Sequence, residues 1–115
     1  MFNQTNPLQT YAAVLGATGV ALGAFGAHGL KGRLSDKLLE NWKTAVLYQL
    51  LHAVALLGVP RKYKTAGQCM ALGTVLFSGS IYCLCLEVGP KKVLGPTTPL
   101  GGLLMIAGWS LLGLS

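Results

Sequence analysis

Two histidines, His28 and His52, are the side chains of this sequence best suited to hold a metal or a haem iron, since imidazole ligates both. Tyr48 and Gln49 stand one turn before His52, and a second polar set, Thr74, Ser78 and Tyr82, follows further along. Together they could ligate an ion, pass a proton or hydrogen-bond a ligand. Three thiols, Cys69, Cys83 and Cys85, complete the reactive side chains. Cys83 and Cys85 point about 160° apart on a helix, so they form neither a metal pair nor a disulfide framework. No carboxylate pair, phosphate loop, zinc spacing or nucleophile-and-base arrangement is present. Ser78-Gly79-Ser80 falls inside a helical stretch without an acid partner and is no catalytic elbow. The expectation is a non-enzymatic protein with no cofactor and no metal.

The elements that must carry these residues are membrane helices. Charged residues make up 10% of the 115 and hydrophobic ones 52%, against about 25% charged in soluble domains. The net charge of +6 comes from nine Lys and Arg lying between the apolar segments. Such loop charges fix orientation, and they do not make a nucleic-acid surface. One domain, 1–115, is expected. Met1 to Gln9 carry no Lys or Arg and the apolar run after them exceeds a signal core, so no cleavage is expected.

Four apolar segments, near 8–30, 36–59, 65–87 and 98–114, predict an all-α membrane protein, an antiparallel four-helix transmembrane bundle. Pro7 suits a first turn, and Ser35 with Asp36 suits an N-terminus. Trp42 suits the interfacial belt, Pro60 a stop, and Thr98 with Pro99 the start of the last helix. Arg61, Lys62 and Lys64 mark one membrane side. Lys31, Arg33, Lys37, Lys91 and Lys92, with Lys43 at the edge, mark the other. That bias favours both termini outside.

Ala12 to Gly29 is the organising segment, with no charged residue in it. On a helix, Ala12, Gly16, Gly19, Gly23 and Gly26 share an arc of roughly 80°. Ala13, Ala17, Ala21, Ala24 and His28 share a second arc. Two small-residue faces predict a central helix with neighbours on two sides. Gly16, Gly19, Gly23 and Gly26 are the expected packing residues.

On the second helix Asn41, Ala45, Tyr48, Gln49, His52 and Leu56 share a face, and on the third Gly67, Ala71, Thr74, Ser78 and Tyr82 do. Facing lipid unpaired would cost these polar groups several kcal/mol. The two stripes should turn inward, with His52 neutral. His28, Tyr48, Gln49, His52, Thr74, Ser78 and Tyr82 are therefore the candidate intramembrane polar site. Depth argues against a shared two-histidine ligand site, because His28 lies near a helix end and His52 about 15 Å deep.

Further motifs occur in order: Gly23-Ala24-Phe25-Gly26-Ala27-His28-Gly29, Trp42, Tyr48-Gln49 with His52, and Leu76-Phe77-Ser78-Gly79-Ser80-Ile81-Tyr82. Thr98-Pro99-Leu100-Gly101-Gly102 and Ala107-Gly108-Trp109 close the series. Over nearly the whole chain this resembles the small integral membrane family of unknown function that includes bacterial YgdD and animal transmembrane protein 256. The resemblance implies fold and location but no substrate. It implies the inner membrane in a bacterium and, with Val59-Pro60-Arg61-Lys62 closer to the eukaryotic branch, a mitochondrial membrane in a eukaryote. Two functions stay open. One is an accessory or packing subunit with a membrane-protein partner or a second copy. The other is a small carrier or lipid-binding protein whose polar stripes line a cleft. In both the lipid bilayer is the surrounding partner and nucleic acid is not.

Overall fold

A computed structural model of the chain describes residues 6–114, so the reading of Met1 to Gln9 lies largely outside the described residues. Among the described residues there are four α-helices and no strand. They are α1 (Pro7–His28), α2 (Asp36–Leu57), α3 (Lys64–Cys85) and α4 (Lys91–Gly113), with a 3-10 turn, Arg61–Tyr63, before α3. Asn6 caps α1 by accepting the Leu8 N–H at 3.1 Å, with Pro7 at the first helical position. Ser35 caps α2 by accepting the Leu38 N–H at 3.2 Å, and Asp36 lies in that first turn against the positive end of the dipole.

The last helix corrects the expected boundary. It begins at Lys91, about two turns before Thr98, with Pro90 in the capping position and Pro96 and Pro99 inside. Each proline removes an N–H that would have reached a carbonyl one turn back. Two threonines beside them bond back within the helix, Thr97 to the Val93 carbonyl at 2.6 Å and Thr98 to that of Leu94 at 3.4 Å. Thr98 is thus an interior residue of the helix and not its cap.

Glycine sets how closely α1 meets α2. A Cβ placed on Gly19 would lie 2.7 Å from Leu50 Cδ2, on Gly23 3.3 Å from Val46 Cγ1, and on Gly26 2.5 Å from Trp42 Cδ1. The α2 numbers fall as the α1 numbers rise, so these helices run in opposite directions. The same holds for α3 and α4, where a Cβ on Gly73 would lie 2.7 Å from the Gly101 carbonyl and one on Gly108 2.8 Å from that of Ala66. Between α2 and α3, Ser78 donates to the Ala45 carbonyl at 2.7 Å and the Cys85 thiol to that of Leu38 at 3.4 Å.

The central pair is α2 and α3. This corrects the expectation that α1 is central: α1 packs along α2 and only lightly on α3. The molecule is flattened, 44 × 32 × 20 Å, which leaves an outer helix one main neighbour within the chain. The glycine face takes that neighbour, and Ala13, Ala17, Ala21, Ala24 and His28 stay exposed. Trp42 also departs from its expected place. It is 1% exposed, and its indole N–H donates to the Leu22 carbonyl at 2.9 Å. The hydrogen bond and the space left by Gly26 make burial favourable for a side chain that otherwise suits the interface.

Pro7–His28 and Arg61–Cys85 are long and apolar enough to cross a membrane by length and composition. The charged first turns of α2, with Gln49 and His52 beyond, lower its apolar character, and prolines and threonines lower that of α4. Gly26→Leu should push α1 off the Trp42 indole and cost about 1–3 kcal/mol, as overpacking does. Gly16→Ala should be mild, because its Cβ would make an ordinary contact with Ala53 at 3.9 Å. Melting curves in detergent that are the same for Gly26→Leu and the parent would show that this face is no interface.

Candidate functional site

Gln49 ties three helices together. Its side-chain amide donates to the Leu15 carbonyl at 2.9 Å and to the Thr18 hydroxyl at 2.8 Å, both on α1. Its carbonyl oxygen accepts the Tyr82 hydroxyl of α3 at 2.6 Å. Both amide hydrogens are used, and the residue is 4% exposed. The Tyr82 ring leans on Trp42, with centroids 4.7 Å apart, which holds the phenol at the right height. Placing Gln49 here is a matter of period: Ala45, Gln49, His52 and Leu56 all lie on the buried face of α2.

His52 forms a second knot about one turn further along α2. Its Nδ1 lies 2.8 Å from the Tyr48 carbonyl, which can only accept, so the proton sits on Nδ1. Nε2 then carries the lone pair, and it accepts the Trp109 indole N–H at 3.0 Å. This pairing fits the neutral ring in one tautomer, and neither nitrogen has a free position for a ligand. Tyr48 stacks on the imidazole and tilts against Phe77. Unlike Ala45, Gln49, His52 and Leu56 of its stripe it is not enclosed: it is 39% exposed and Trp109 48%.

The structure therefore divides the expected polar site. Gln49 and Tyr82 meet directly, and Ser78 reaches the α2 backbone beside them. Thr74 turns its hydroxyl back to the Met70 carbonyl at 2.7 Å, within its own helix. His28 stays apart, exposed at the end of α1. The α2 level facing Gly16 is that of Ala53, next to His52, so the two histidines are separated by about 18 Å along the axis. Among the described residues, every buried side-chain nitrogen and oxygen has a hydrogen-bond partner.

Trp109, Thr18 and the Ser80–Thr98 hydroxyl pair are members that sequence reasoning did not assign. A signal for the first existed. Gly101, Met105 and Gly108 recur on one face of α4, and Trp109 flanks that face. Trp109→Phe should leave the His52 Nε2 lone pair free at a cost of about 0.6 kcal/mol, the mean for one interhelical bond. Diethyl pyrocarbonate should then modify His52 faster than in the parent. Equal rates would mean that the indole does not hold it.

Four helices, two of them long and apolar enough to cross a membrane, with polar groups paired inside and large apolar side chains outside, suit a helical membrane protein. The family described as "Protein of unknown function (DUF423)" matches residues 22–102, and the chain belongs to it. It is 43% identical over 110 residues to the UPF0382 membrane protein C1782.12c of Schizosaccharomyces pombe, covering 86% of this chain and 92% of that one. It is 47% identical over 103 residues to the UPF0382 membrane protein SH2409 of Staphylococcus haemolyticus, covering 84% and 83%. It is 38% identical over 110 residues to the UPF0382 inner membrane protein YgdD of Escherichia coli, covering 89% and 82%. No solved structure matches the chain.

Proposed function

We propose that the chain is a four-span antiparallel bundle whose role is that of a non-enzymatic accessory subunit, docked by α1 in a larger membrane assembly or on a second copy. The observation that carries this reading is the uncovered alanine face of α1, Ala13, Ala17, Ala21 and Ala24. Small residues allow close helix approach in lipid, and no helix of this chain covers these. Four spans are supported by the exposed large apolar side chains on every helix. Examples are Val14 on α1, Leu51 and Val54 on α2, Leu72 on α3, and Leu103 and Ile106 on α4. Such surfaces suit lipid tails and not water. The loop cations favour both termini outside. The inner membrane suits a bacterial member and a mitochondrial membrane a eukaryotic one.

A carrier with a cleft along Tyr48, Gln49, His52, Ser78 and Tyr82 has less support, because those groups bond to one another or to backbone. Native mass spectrometry in mild detergent separates the two. A stoichiometric protein partner or a dimer, lost in Ala17→Trp, supports the accessory role. A monomer carrying a small molecule that Gln49→Leu releases overturns it in favour of the carrier.

A further inference from the structure

A groove lies between α1 and α3, which run in the same direction and touch only lightly. It has a volume of about 480 Å³, within the roughly 300–1,000 Å³ of small-ligand sites. Val14, Leu15, Ala71, Leu72 and Val75 line it, with Tyr11 and Gln68 at one end. That end is fixed by a close contact: a Cβ on Gly67 would lie 2.6 Å from Leu8 Cδ2, so the first turns of α1 and α3 are level. Lys64, Gln68, Ala71 and Val75 fall within an arc of about 60° on α3, which puts the exposed Lys64 one turn beyond Gln68 on the groove's own face. Arg61 and Lys62 stand in the turn just before it.

Among the described residues this end of the molecule holds no acidic side chain. The three carboxylates of the chain, Asp36, Glu40 and Glu87, all belong to the opposite end, at the start of α2 and just after α3. The cations beside the groove thus have no side-chain anion of their own to pair with. We infer that the α1–α3 groove holds one chain of an acidic glycerophospholipid, with the headgroup phosphate at Lys64, Gln68 and Tyr11. Apolar lining accepts the acyl chain, the polar rim accepts the phosphate oxygens, and basic residues at a membrane surface attract anionic lipid. The inference goes beyond the accessory role and rests on its transmembrane part.

The test uses the full chain, carbonate-washed in its membrane and then delipidated. Native mass spectrometry follows with added dioleoylphosphatidylglycerol or dioleoylphosphatidylcholine. The parent should retain the acidic lipid more strongly. Lys64→Gln should weaken that retention by about fivefold, the effect of one surface cation, and leave the zwitterionic lipid unchanged. Leu72→Trp, which fills the groove, should weaken both. Lys37→Gln, at the far end, should change neither. Equal retention of the two lipids by the parent, an equal loss in Lys37→Gln, or no loss in Leu72→Trp overturns the groove site alone. Release of the parent chain by carbonate overturns the spans and the groove together.

Discussion

Gly73→Ala should be among the most damaging single-methyl changes in the molecule, with Gly101→Ala beside it, whose Cβ would meet the Phe77 backbone nitrogen. The carbon added at Gly73 would sit 2.7 Å from both the Gly101 carbonyl oxygen and the Met105 nitrogen, which are backbone atoms of α4. A flexible side chain can swing aside, whereas here a whole helix must move. The expected cost is about 1–3 kcal/mol, toward the upper end because nothing nearby can yield. Gly79→Ala is the internal control, since a Cβ there meets open space. Thermal unfolding in one detergent should show a clear drop for Gly73→Ala and none for Gly79→Ala. Equal curves would mean that α3 and α4 do not approach at Gly73.

Gln49→Leu should release the second large effect. It removes three interhelical hydrogen bonds at once and leaves the half-buried Tyr82 hydroxyl without its acceptor, while the Thr18 hydroxyl keeps its bond to the Val14 carbonyl. At about 0.6 kcal/mol per bond in membranes the loss is about 2 kcal/mol. A double-mutant cycle gives the sharper check. Tyr82→Phe should be costly alone and nearly neutral in the Gln49→Leu background, because its partner is already gone. Additive losses would show that the phenol and the amide do not share a bond.

The glycine face of α1 was visible in the sequence because it depends only on helical period. So was the inward turn of Gln49, His52, Ser78 and Tyr82, since polar groups in an apolar helix have few affordable directions. What could not be seen was which helix takes which face. Two small-residue faces on α1 imply two neighbours, but only the three-dimensional arrangement shows that the chain itself covers just one of those faces. Trp42 was misplaced because its type suits an interface, while its burial depends on the gap that Gly26 leaves across α2. The start of α4 was missed because Pro96 and Pro99 are strong stop signals, and threonine hydroxyls bonding to nearby carbonyls leave no mark in propensity. Trp109 fell outside the expected site for want of a partner for His52 on a helix whose polar residues are few.

The two glycine seams divide the chain at the Arg61–Tyr63 turn. Each seam joins helices that follow one another directly, α1 with α2 and α3 with α4, so each hairpin carries its own complete contact surface as soon as it has been synthesised. The bonds from Gln49 to Tyr82, from Ser78 to Ala45 and from Trp109 to His52 cross between the hairpins and need both. The first hairpin can therefore close while the ribosome is still making the second, with Thr18 and Leu15 already occupying the Gln49 amide. On that order Tyr82 and Trp109 reach their acceptors on α2, the Gln49 amide oxygen and His52 Nε2, only when the second hairpin packs against the first.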